Sequence, residues 1–116
     1  MTLNEYASKA RRTSNGIHSI VVAALGLAGE AGEFAEMVKK HIAQGHLIST
    51  DKLAEEIGDI LWYCVLAADA IGVSLDDIAQ QNIRKLKERY PDGFSSERSI
   101  NRNKPIDRQI PNPEGG

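Results

Sequence analysis

Four carboxylates stand in two matched pairs, Glu30 with Glu33 and Glu56 with Asp59, three residues apart in each pair. On a helix that spacing keeps both members on one edge. Four such groups converging from two helices repel one another and hold their protons unless a cation sits among them. A site made only of oxygen donors suits Mg2+, with Mn2+ as a substitute. Zinc and di-iron chemistry find no ligands, because His18, His41 and His46 belong to no H-x-x-x-H, C-x-x-C or E-x-x-H pattern. Those histidines read as structural or exposed.

A second polar set lies further along the chain. Asn82, Lys85 and Arg89 fall on or beside the apolar face of DDIAQQNIRKLKERY. Lysine as a point charge and arginine as a fork suit phosphate oxygens, and the asparagine suits a metal ligand or water. The plainer alternative is a polar bridge between helices plus cations favoured at a helix C-terminus. Lys39 and Lys40, near a helix end, read as solvated.

The elements that must carry these groups are helical. Asn15-Gly16, Gly45, Gly72 and Pro91-Asp92-Gly93 divide the chain into segments of helical periodicity, at 3–12, 17–43, 50–71 and 75–90. Ser74, with Asp77 three residues on, has the form of a capping box. No strand-length alternation is evident, which predicts an all-α bundle of about four helices. At roughly 100° per residue, with Glu30 at zero, Leu27, Ala31, Phe34, Ala35 and Val38 form a stripe that Glu30 borders. The same exercise from Glu56 groups Leu53, Ile57, Ile60, Leu61, Cys64 and Ala68. If the two stripes pack antiparallel, the acid pairs converge; Glu36 and Glu55 fall on the solvated side. Trp62, Val65, Leu66 and Ala70 make the back of the third helix apolar as well, so it seeks two partners, one of them expected to be another subunit. Trp62 reads as interface packing there, or as a platform lining a nucleobase pocket. Gly26, Gly29 and Gly32 match no phosphate-loop spacing and read as points of close packing.

Length and charge bound the rest. The 116 residues make one small domain, and a net charge of −2 from 14 basic and 16 acidic residues offers no broad field for nucleic acid or a membrane surface. One cysteine, Cys64, allows no internal disulfide and reads as a small buried hydrophobe in a reducing compartment. The start of the chain lacks an export signal and no apolar run spans a bilayer, so a cytoplasmic location is expected. The tail, residues 95–116, holds three of the four prolines and is expected to be irregular, which leaves 1–94 as the helical domain.

The blocks GLAGEAGE, EEIGDILWY and NIRKLKERYPDGF together resemble the MazG-like nucleotide pyrophosphohydrolases of the all-α NTP pyrophosphatase superfamily, in particular its small, single-domain, phage-like branch. The likeness covers about residues 25–94, with the family motif E-x-x-E…E-x-x-D matched by Glu30, Glu33, Glu56 and Asp59. The resemblance implies a helical bundle assembled as a homodimer or homotetramer, with the four acids holding magnesium on a nucleoside triphosphate. It also implies release of a monophosphate and pyrophosphate, with Asn82 and Lys85 belonging to the site and Lys85 stabilising the phosphate chain, and Arg89 a further candidate beside them. Glu33 is the preferred general base. A phosphoribosyl-ATP pyrophosphohydrolase and a non-catalytic nucleotide- or partner-binding module are the competing expectations.

Overall fold

Each helix begins and ends where the local chemistry can satisfy its free backbone groups. The computed structural model describes residues 1–16 and 19–93, and among these the chain forms four helices and no strand: α1 (Leu3–Arg11), α2 (Ile20–Gln44), α3 (Thr50–Ile71) and α4 (Leu75–Arg89). The tail at 95–116 and the expected start of the second helix at Ile17 lie outside the described residues. Thr2 and Glu5 make a reciprocal capping box at the start of α1, a signal the sequence reading passed over. Ser19 and Ser49 cap α2 and α3 through their hydroxyls. Gly45 and Gly72 close the same two helices at φ 70° and 73°, in the left-handed region that a side chain disfavours. At α4 the Asp77 N–H donates to Ser74 Oγ at 3.1 Å, so half of the expected box is present.

The chain divides into two units, Met1–Asp77 and Ile78–Gly116. In the first, α2 and α3 make the principal pairing and α1 covers the other side of α3. The pairing is antiparallel: Tyr63 lies over Gly26, Glu56 beside Glu30, and Lys52 shares a pocket with Met37. The buried seam differs from the expected stripe. It runs through the buried Ala23 and the half-buried Gly26, Leu27, Glu30, Phe34, Met37 and Val38 on α2, and through the half-buried Leu53, Glu56, Ile60 and Tyr63 on α3. Ala31 and Ala35 are exposed, as are Ile57 (54 %) and Leu61 (37 %). Both faces are therefore rotated from the sequence expectation, and the two glutamates sit in the seam instead of at its edge. The reason is steric: the small Gly26 and Ala23 let the Tyr63 ring approach the α2 backbone, which turns each helix toward its acid-bearing side.

The back of α3 also finds a different cover. Val65 and Ala68 are buried with Ala7 and Ala10 of α1 and Leu75 from the first turn of α4, and Tyr6, Trp62 and Cys64 pack around them. The second partner of α3 is thus α1 of the same chain. Arg11 locks it with a two-bond ion pair to Asp69, at 2.7 and 2.8 Å, and Asn4 Oδ1 accepts from the Asp76 N–H at 3.1 Å. In the second unit, α4 continues through Ile78, Ile83 and Leu86, which are exposed.

Candidate metal centre

The α2–α3 seam delivers Glu30 and Glu56 to each other from opposite helices, and Glu33 joins them from one turn further along α2. One carboxylate oxygen from each of Glu30, Glu33 and Glu56 lies within 4.8 Å of the other two. Three anions at that separation are unfavourable by themselves. The Glu30 carboxyl is pushed up to about 7, first by burial and then by the neighbouring Glu33 carboxyl, with Glu56 and Asp59 adding to it. Glu56 is raised as well, again by burial first and Glu33 next. Asp59 stands outside the group of three but acts on both glutamates through its charge.

Two atoms define what the cluster lacks. Glu30 Oε2 and Glu56 Oε2 are shut off from solvent and have no hydrogen-bond partner among the described residues. Buried polar atoms in folded proteins are almost always satisfied, so orphaned oxygens on two carboxylates of one acidic group call for a proton or a cation. The donor set, all carboxylate oxygen with Glu33 on the open side, fits a hard divalent cation that retains some water. The residues present therefore suit Mg2+ or Mn2+.

Around the cluster the other expected residues take distinct places. Trp62 packs beside the α1–α3 core, donates from Nε1 to Thr13 Oγ1 at 2.8 Å, and meets Tyr63 edge-to-face with ring centroids 5.0 Å apart. Asn82, Lys85 and Arg89 are exposed on α4, in the second unit, so the place of Asn82 on an apolar stretch of sequence does not bury it. His41 Nδ1 lies 2.7 Å from the His46 carbonyl and serves the α2–α3 turn, in keeping with a structural role; His18 lies outside the described residues. Burial pushes the Cys64 thiol up, consistent with an inert packing role. Glu36 is exposed and pairs with Lys39 at 3.7 Å, away from the cluster.

Sequence reasoning missed Tyr63 and Tyr6. Tyr63 fixes the helix register over Gly26, and the G-x-x-G-x-x-G spacing gave half of that signal without its partner. The Tyr6 hydroxyl is raised by burial, then by Cys64 and Asp59, which puts α1 within the electrostatic reach of the acidic site. A single tyrosine in a nine-residue helix carried no sign of that.

A family model described as the MazG nucleotide pyrophosphohydrolase domain matches residues 20–94. The match takes in all four clustered or neighbouring acids and α4, and leaves out α1. The chain is similar to the Gene 37 protein of Mycobacterium phage L5, at 35 % identity over 83 residues, covering 68 % of this chain and 73 % of that protein. No solved structure matches the chain.

Proposed function

We propose, from the premise that this chain belongs to the MazG nucleotide pyrophosphohydrolase family, that it hydrolyses a ribo- or deoxyribonucleoside triphosphate to the monophosphate and pyrophosphate in a Mg2+-dependent reaction. The observation that carries this reading is the pair of orphaned, buried oxygens of Glu30 and Glu56 within a three-carboxylate group. Glu30 and Glu56 hold the cation from inside the seam, and Glu33 and Asp59 complete the donor set from its open edge. A Mg2+ ion held there would supply charge neutralisation for phosphate oxygens and a lowered pKa for an attacking water. Glu33, exposed and least enclosed of the three, is the general base whenever its carboxylate is free of metal, and accepts the proton of the attacking water. On the strength of residue type and family motif, Lys85 and Arg89 contact the phosphate chain, Lys85 steadying charge as it moves to the leaving group, and Asn82 orients a donor or water. Trp62, through Thr13, sets the segment that follows α1, which we assign to the nucleobase side.

The unit acts as a homodimer or homotetramer in the cytoplasm, in clearance of a nucleotide pool, with residues 1–94 as its working part. Ile57 and Leu61 on α3, and Ala31 and Ala35 on α2, are exposed and offer apolar surface suited to self-association. Among the described residues no single helix is long and apolar enough to cross a membrane. The test is product identification by 31P NMR with magnesium and a nucleoside triphosphate. Monophosphate and pyrophosphate are expected; diphosphate with orthophosphate would contradict the reading, and binding without turnover would favour a non-catalytic module.

A further inference from the structure

Helix α4 takes part of its N-terminal cap from the far end of the chain. The first amides of a helix have no partner within it and need one from elsewhere. Ser74 serves one of them, its Oγ accepting from the Asp77 N–H at 3.1 Å. The Asp76 N–H donates instead to Oδ1 of Asn4, 72 residues earlier on α1, at 3.1 Å. Between those two contacts and α3, Leu75 is buried with Ala7, Ala10, Val65 and Ala68. All of these residues belong to the Met1–Asp77 unit.

The residues of α1 are spaced to brace this corner. Asn4, Ala7 and Arg11 recur at i, i+3 and i+7, which puts them on one face of the helix. Arg11 forks onto Asp69 in the last turn of α3, and Asn4 holds the first turn of α4, about 10 Å of helical rise away. Between the two ties the chain turns through Gly72, at φ 73°, Val73 and Ser74. A cavity of about 140 Å³ opens at that face, bordered by Asn4, Arg11, Asp69 and Ser74, so polar ties and not only packing hold the corner. Beyond Leu75 no residue of α4 is fully buried, and a helix of 15 residues is marginal in water by itself. Because helix formation is cooperative, a cap on the first turn steadies the turns that follow it.

We infer that Asn4 is a positioning residue for the reaction: by capping the Asp76 amide it fixes the start of α4 and, through the continuous helix, the placement of Asn82, Lys85 and Arg89. The inference rests on the proposed role of those three side chains at the phosphate chain. It adds that this role depends on α1, which lies outside the family match.

The test uses the full chain, free of substrate for hydrogen exchange read by mass spectrometry, and with a magnesium nucleoside triphosphate for steady-state kinetics. Asn4→Leu removes the acceptor at nearly constant size, whereas Asn4→Asp keeps the acceptor and adds a charge that a helix N-terminus favours. Asn4 is exposed, and a melting curve checks that each variant is folded. In Asn4→Leu, amide exchange across residues 78–89 is expected to quicken about fivefold while α2 keeps parent rates, and kcat/KM to fall by up to about fivefold, mostly through KM. Asn4→Asp is expected to restore both. Parent-like exchange in α4 of Asn4→Leu overturns the inference, whatever the activity. Faster exchange with parent-like kcat and KM also overturns it, since the bond then serves the fold alone, and so does a failure of Asn4→Asp to restore either value. A parent that hydrolyses no triphosphate refutes the proposed activity, and α4 exchange that follows the acceptor at position 4 then still supports the hold of Asn4 on the helix.

Discussion

Replacing Gly26 by alanine tests the contact that sets the register of the two acid-bearing helices, α2 and α3. A Cβ built at Gly26 meets the Tyr63 ring at three of its atoms, whereas one built at Gly29 or Gly32 meets nothing within 4 Å. The ring has little room to turn away, because Trp62 lies edge-on against it and is itself held by Thr13. Overpacking of this kind costs about 1–3 kcal/mol, and glycine-to-alanine exchange in a helix interior returns about 1 kcal/mol. Gly26→Ala is therefore expected to range from neutral to about 2 kcal/mol less stable, and Gly29→Ala to gain about 1 kcal/mol. A difference of about 2 kcal/mol between the two variants corresponds to roughly 8–16 °C in Tm for a domain of this size. Thermal unfolding followed by circular dichroism, at one protein concentration and with the metal chelated, measures that difference. Equal shifts in the two variants would mean that Tyr63 does not lie over Gly26, and the register that brings Glu30 to Glu56 would fall with it.

The remaining predictions concern the acids and the apolar face. Glu30 in the folded protein titrates near 7 and Glu56 is raised too, so between the ordinary carboxylate range and pH 7 the folded state holds more protons than the unfolded one. Stability of the metal-free protein must then fall as pH rises from about 5 to 8. Melting curves across that range should show the fall, Glu30→Gln should flatten it, and excess magnesium should offset it; a Tm that rises with pH would contradict the cluster. Glu33→Gln should lower kcat by about 10²–10⁴ in steady-state assays while moving Tm by only a few degrees, and Asp59→Asn should likewise lose activity and keep its fold. Glu36→Gln should behave as the parent, and an inactive Glu36→Gln would mean the wrong face has been chosen. Ile57→Lys with Leu61→Lys should convert an oligomer to a monomer in sedimentation experiments, and an unchanged mass would move the interface elsewhere.

The helices and their ends were legible because their signals are local: serine caps, glycines at Gly45 and Gly72, and a proline after Tyr90. The acid pairs were legible because a repeated spacing of carboxylates has few structural uses. The rotation of the two faces was not, since it depends on Tyr63 entering the space over Gly26, a contact between residues 37 apart in sequence. Periodicity could place Ile57 and Leu61 on an apolar stripe but could not tell which part of a wide stripe faces its own chain. The cover of Val65 by α1 was hidden for a different reason: Ala7 and Ala10 are small residues in a short, charged helix, and small residues announce no core. For Asn82, Lys85 and Arg89, residue type supplied a chemistry that position along the chain alone could not locate.

The account stands most directly on one comparison: pyrophosphate release from a panel of ribo- and deoxyribonucleoside triphosphates, by the parent and by Glu33→Gln, with magnesium and with a chelator. It predicts release by the parent only when magnesium is present, and its near-complete loss in a Glu33→Gln protein that is still folded. Release that persists in the chelator, or that survives Glu33→Gln undiminished, would contradict it.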